Sequence, residues 1–191
     1  MMTKTIESTL QKVESGRNRI VYVVVLLFSL VWCASIFSIP FLAEGNALSR
    51  KASGFITLFF SPVCHQIPDR SFHIVGHTLA VCSRCTGIYI GFLFGVMLYP
   101  CFRDFGKSTL PPQWILLVGI LPIAVEVLFS LCRIIHPNNL CRFLTGFGAG
   151  NVTAFYVLPA VFDLANRQAI KHLKPYPKRI KHTFMKCEDT L

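Results

Sequence analysis

Charge is scarce in this chain. Charged residues make up 15% of the 191 positions, and only nine are acidic, against roughly a quarter charged in a typical soluble domain. That excludes the ordinary water-facing surface of a globular protein. No phosphate-cradling glycine loop, G-x-S-x-G elbow or dinucleotide fingerprint is present, so familiar nucleotide chemistry has no foothold. Paired-histidine zinc-finger spacing, internal repeats and low-complexity tracts are also missing.

What the chain has instead is apolar length. Hydrophobic residues reach 53% and the mean hydropathy is +0.54, concentrated in runs. Ile20 to Leu42 contains no charged residue and exceeds the about 20 residues a helix needs to cross hydrocarbon. A cleaved signal peptide would have an apolar core of about 7–15 residues, so this run reads as a retained first span. Further spans are expected over about 86–102, 113–132 and 143–162. The 54–63 run, GFITLFFSPV, is too short to cross and reads as an interfacial or re-entrant segment. Residues 43–53 before it read as a polar connection.

The expectation is an all-α membrane bundle of about four transmembrane helices. It comprises a segment 1–19, a membrane domain 20–165 and a basic tail 166–191. The net charge of +10 does not point to nucleic acid, because no basic helix is interleaved with aromatics. Four of the 19 Lys/Arg lie in the first 19 residues and seven after Asp163. With four spans, thirteen Lys/Arg fall on the side of the termini and six on the other. The positive-inside rule then puts both termini in the cytosol of a multi-pass cell-membrane protein.

That topology gathers the unusual polar residues at the outer end. Cys64, His65, Asp69, Arg70, His73, His77, Cys82 and Cys85 fall there, with Arg133, His136, Asn138, Asn139, Cys141 and Arg142. Glu126 lies roughly 8–10 Å inside the outer end of the third span, at 1.5 Å per residue. Gly87, Gly91 and Gly95 repeat every four residues in the second span, and Gly146 and Gly150 in the fourth. Small-xxx-small faces allow close helix approach in lipid. These two helices are therefore expected to pack, bringing Cys82 and Cys85 near Asn139 and Arg142.

Cys82 and Cys85 form a C-x-x-C at a helix start, with Cys64 and His65 upstream. Three thiolates and one imidazole form a common tetrahedral zinc set. The fourth ligand falls to His65, His73 or His77. The rival reading is redox: a C-x-x-C at a helix N-terminus suits disulfide exchange, coupled to a quinone, with Cys132 and Cys141 as a relaying pair. An inert disulfide or purely structural metal ranks below both. Cys33, Cys101 and Cys187 read as ordinary thiols. Glu126 counts as functional by its place in an apolar run, either as a general acid/base or paired with Arg142 or Arg133. Arg84 and Arg142, near outward helix N-termini, suit an anionic group, or they anchor lipid headgroups. Asp69 and Arg70 read as a local pair, and Asn138 or Asn139 as a helix cap.

The blocks CHQIPDRSF, CSRCTGIYIG and NNLCRFLTGFGAG resemble those of a family of small membrane proteins catalogued as a domain of unknown function. The resemblance covers roughly residues 55–165. It marks Cys64, His65, Gln66, Arg70, Ser71, Phe72, Cys82, Arg84, Cys85, Gly87, Tyr89, Asn139, Arg142 and Gly146 as motif positions. The third helix of the family commonly carries Asp where this chain has Glu126. The resemblance supplies no reaction but implies that the blocks form one site. Three functions follow as expectations. The first is a membrane-embedded enzyme with a zinc site (Cys64, His65, Cys82, Cys85), using Glu126, Arg142 and Arg84 on an anionic or amphiphilic, lipid-like substrate. The second is a quinone-linked thiol oxidoreductase. The third is a small transporter or assembly protein.

Overall fold

A computed structural model describes residues 2–105, 110–132 and 137–172, with side chains from 13 to 167 within those ranges. Arg133, His136 and Cys187 lie outside the described residues, as does most of the expected basic tail. Helix α1 runs over Met2–Ala43 and α2 over Ala47–Phe60. A 3-10 turn at Pro68–Arg70 follows, then a small hairpin of β1 (His73–Ile74) and β2 (His77–Thr78). Helices α3 (Ser83–Phe102), α4 (Gln113–Leu131) and α5 (Asn139–His172) complete the described chain.

The architecture is an all-α membrane bundle. Four helices are long and apolar enough to cross: Val13–Ala43, Ser83–Phe102, Gln113–Leu131 and Asn139–Arg167. Between the first two, the polar connection expected over 43–53 is shorter than that. Helix α2 already begins at Ala47, with Asn46 extended at its N-cap position. The local composition explains this, since Leu48, Arg50 and Lys51 are good helix formers. At 1.5 Å per residue its 14 residues reach about 21 Å, short of the about 30 Å hydrocarbon core. Aromatic edges tie α2 to α1: the Trp32 ring lies 5.0 Å from Phe60 and 5.8 Å from Phe59.

The glycine faces do pair. A Cβ on Gly87 would strike the Phe143 carbonyl, and one on Gly91 the Phe147 carbonyl. From the other side, a Cβ on Gly146 would meet the Arg84 carbonyl and one on Gly150 the Ile88 carbonyl. Backbone therefore lies against backbone along α3 and α5. In lipid this dispersion contact replaces the hydrophobic effect as the force holding helices together. Helix α4 packs on α5 and is pinned near its start by Tyr156. The Tyr156 hydroxyl donates to the Pro112 carbonyl at 2.7 Å and accepts from the Leu116 N–H at 3.2 Å, bridging the two ends of the helix's first i→i−4 pair.

The two ends of the bundle differ in chemistry. At one end Arg17 Nε donates to Asn166 Oδ1 at 2.7 Å, and Asn18 Nδ2 to the Phe105 carbonyl at 2.7 Å. This end joins the start of the first span, the end of the last and the α3–α4 connection. The 3-10 turn, the hairpin and the cysteines occupy the opposite end.

Candidate metal centre and arginine pocket

The segment between α2 and α3 has little regular structure, and side chains hold its backbone in place. Gln66 sits at φ 51°, a left-handed conformation that a non-glycine residue holds only where its surroundings enforce it. The enforcement is visible. Its Nε2 donates both to the Thr57 carbonyl at 2.7 Å and to the Ala80 carbonyl at 2.8 Å. One amide thus clamps α2 to the strand leading into α3. Ser71 Oγ donates to the Ile67 carbonyl at 2.9 Å and Ser83 Oγ to the Arg70 carbonyl at 2.9 Å. Asn139 Nδ2 donates to the Ser71 carbonyl at 3.3 Å, while its Oδ1 accepts from Ser83 Oγ at 3.3 Å. The start of α5 is thereby fastened to the loop and to α3. Asn138, not Asn139, caps α5, its Oδ1 accepting the Cys141 N–H at 2.8 Å.

This framework brings three thiols together. One ligand atom each from Cys64, Cys82 and Cys85 lie within 4.8 Å of one another. Cys64 is 6% exposed and packs with Phe60, Leu79, Ala80 and Val81. The Cys82 N–H donates to Cys64 Sγ at 3.2 Å. Hydrogen bonds from the Cys82 and Cys85 thiols, then from the Cys82 and Gln66 backbone, hold the Cys64 thiol far below its usual value, although burial opposes this. Such polarised sulfur favours a metal ligand or a nucleophile.

The histidines do not join the set. His65 is exposed and falls outside the group of converging ligand atoms, although it borders the same cavity. Its neighbour Cys64 turns inward, and successive side chains of irregular, extended chain cannot both face one point. His73 and His77 are exposed on the hairpin. Among the described residues the cluster is three cysteines without a histidine. Cys33, Cys101, Cys132 and Cys141 are free thiols, with Cys132 closing α4 and Cys141 in the first turn of α5.

The cysteines open onto a cavity of about 280 Å³ bordered by Arg70, Arg84 and Arg142. Arg84 pairs with Glu126, Nη2 to Oε1, at 2.6 Å. The other carboxylate oxygen accepts from Thr145 Oγ1 at 2.7 Å. The expected partner of Glu126 was Arg142 or Arg133; the pairing with Arg84 corrects that for Arg142. The glycine packing explains the difference, because it sets the first turn of α3 against α5, the helix on which α4 also packs. Arg142 is only 8% exposed, and its Nε donates to the Pro137 carbonyl at 3.1 Å. No ion pair joins Arg70 to Asp69 among the described residues, again unlike the sequence expectation. Arg70 as a cavity wall, Gln66 as a clamp and Thr145 as a carboxylate donor were not singled out for those roles. Thr145 lies three residues after Arg142, on the same helix face, which was the available signal.

A second, apolar groove of about 520 Å³ lies between α1, α3 and α5, bordered by Phe28, Trp32, Cys33, Ile88, Tyr89 and Phe92 among others. Cys85, Ile88, Tyr89 and Phe92 follow i, i+3, i+4, i+7 spacing, one face of α3. The groove therefore begins one turn beneath the cysteines. Among the described residues Trp32 Nε1 is buried without a hydrogen-bond partner.

Comparison with known proteins adds a family. The family model described as "Predicted membrane protein (DUF2085)" matches residues 64–156, the segment from the first clustered cysteine to the tyrosine that pins α4. An uncharacterized protein of Methanocaldococcus jannaschii is 38% identical over 146 residues, covering 75% of this chain and 94% of that protein. An uncharacterized protein of Methanothermobacter thermautotrophicus is 37% identical over 95 residues, 50% of this chain and 84% of that one. No solved structure matches the chain.

Proposed function

The chain belongs to the DUF2085 family of membrane proteins, and from the site its matched segment builds we propose a membrane-embedded zinc enzyme acting on an anionic or amphiphilic, lipid-like substrate. The observation that carries this is the convergence of Cys64, Cys82 and Cys85 ligand atoms within 4.8 Å. Tetrahedral zinc with sulfur bonds of about 2.3 Å needs sulfurs about 3.8 Å apart, so the set fits with little movement. Zinc held there supplies Lewis acidity at whatever coordination position the three sulfurs leave open.

The remaining roles belong to the chain. Cys64, Cys82 and Cys85 would hold the metal, and all three border the arginine cavity. His65, at the cavity rim, is placed to carry protons to and from the cavity. Arg84, held by Glu126, fixes the geometry of the cavity wall, and Glu126 acts on protons only when that pair opens. The groove beneath Cys85 takes an apolar tail. The basic segments near both ends support a cytosolic terminal side, and with it a site on the outer face of the cell membrane.

Purified protein in lipid nanodiscs tests this. One zinc per chain is expected, lost in Cys85→Ala, with cobalt substitution giving thiolate charge-transfer absorption. Metal-free wild-type protein with normal helicity sinks the reading.

A second reading rests on the groove. Oxidation of the Cys82 and Cys85 thiols to a disulfide releases two electrons and two protons, which a quinone takes up as quinol. The unpartnered Trp32 N–H beside the groove suits a quinone oxygen. A reducible Cys82–Cys85 disulfide in metal-free protein would select this reading.

A further inference from the structure

We propose that Arg70, Arg84 and Arg142 form a subsite for a phosphate-type oxyanion beside the cysteine cluster. The inference deepens the enzyme reading by naming the anionic group, and rests on it only for the role of that group.

The three arginines come from three separate elements: the 3-10 turn, the first turn of α3 and the first turn of α5. All three border one cavity of about 280 Å³. Like charges brought together repel, and a guanidinium near hydrocarbon is costly. Arg142 pays most, being 8% exposed. Among the described residues the only hydrogen bond of its guanidinium uses Nε, and no carboxylate lies within ion-pair distance of it. Arg84 has a partner in Glu126 but keeps its own Nε buried with none.

Charge counting leaves a positive excess. Three guanidiniums face one carboxylate, Glu126. A divalent ion on three thiolates carries one net negative charge, so one positive charge remains. Asp69 is exposed and does not border the cavity, and His65 at the rim adds no negative charge. An oxyanion balances the excess, and planar guanidiniums suit the bidentate geometry of phosphate. A cavity of this size takes a headgroup phosphate or free phosphate, while an apolar occupant would leave the guanidiniums unserved.

Full-length protein in nanodiscs gives the test. One arm titrates inorganic phosphate by calorimetry. The other measures retention of phosphatidic acid from phosphatidylcholine nanodiscs by native mass spectrometry. Arg70→Gln lies on an exposed turn and preserves the fold. Arg142→Lys preserves the charge where Arg142→Gln risks misfolding. Zinc content is measured on every sample. Binding of either probe, weakened about tenfold or more in Arg70→Gln and Arg142→Gln and partly restored in Arg142→Lys, supports the subsite. Binding in the first arm identifies free phosphate as a ligand, and in the second arm alone a lipid headgroup. Arginine-dependent binding by zinc-free protein supports the subsite while sinking the metal reading. Zinc-loaded, folded protein that binds neither probe, or binds equally in the variants, overturns the subsite and leaves the metal reading standing.

Discussion

Arg84 of α3 and Glu126 of α4 meet at 2.6 Å, joining residues 42 positions apart on two helices that both pack on α5. The pair ties the C-terminal half of α4 to the cysteine-bearing helix, as Tyr156 ties its start to α5. Helix α4 otherwise meets its neighbours through few buried side chains. Removing one partner of a low-dielectric pair costs about 3 kcal/mol, and removing both costs less than the sum. Glu126→Ala and Arg84→Met are each expected to lower stability by about 2–3 kcal/mol, discounted for partial exposure. The double variant should show coupling of at least about 1 kcal/mol in thermal melts. Additive losses would mean that the pair contributes nothing of its own.

The α3–α5 contact predicts a sharp contrast among glycines. Gly91→Ala forces a Cβ into the Phe147 backbone, whereas a Cβ on Gly148 meets nothing within 4 Å. Gly91→Ala should destabilise by about 2 kcal/mol or more and impair zinc retention. Gly148→Ala should be neutral or slightly stabilising, as Ala replaces Gly in a helix. Melts and metal analysis on the two variants check the contrast, and equal behaviour would contradict the close packing.

His65 is expected to be dispensable for metal retention. His65→Ala should keep one zinc per chain, while Cys64→Ser, Cys82→Ser and Cys85→Ser each lose it. Loss of zinc in His65→Ala would show that the histidine swings in as the fourth ligand.

The hairpin carries a strained residue. Val75 at φ 51° and Gly76 at φ 75° link Ile74 to its partner His77, the geometry of a two-residue type I′ turn. A β-branched residue is a poor occupant of that conformation, and Asn is a good one. Val75→Asn should stabilise by about 1 kcal/mol, read as a raised melting temperature. Gln66→Ala should lower it, because the buried Ala80 carbonyl and the half-buried Thr57 carbonyl lose their shared donor, at about 1–3 kcal/mol.

Much of the molecule was legible before any coordinates. Hydropathy is summed over contiguous residues, so the four spans and the short α2 announced themselves, with α2 starting earlier than its polar composition suggested. The four-residue glycine repeats reveal a helix face at 3.6 residues per turn, and the α3–α5 pairing followed. Cys82 and Cys85 were visible together because C-x-x-C places both at one helix start.

What the sequence could not decide was which distant polar groups meet. Chain order pointed to Arg142 or Arg133 as the partner of Glu126 and passed over Arg84, and it offered His65, His73 or His77 to the thiols. Backbone-to-backbone packing of α3 on α5 put Arg84 within reach of the carboxylate. The Gln66 clamp turned Cys64 inward beside Cys82 and Cys85. Side chains pair by distance, at a few ångströms, and that distance is set by how helices register against one another. Hydropathy and periodicity carry no information about that register, so tertiary packing alone decided which arginine serves Glu126 and which residues border the cysteine cavity.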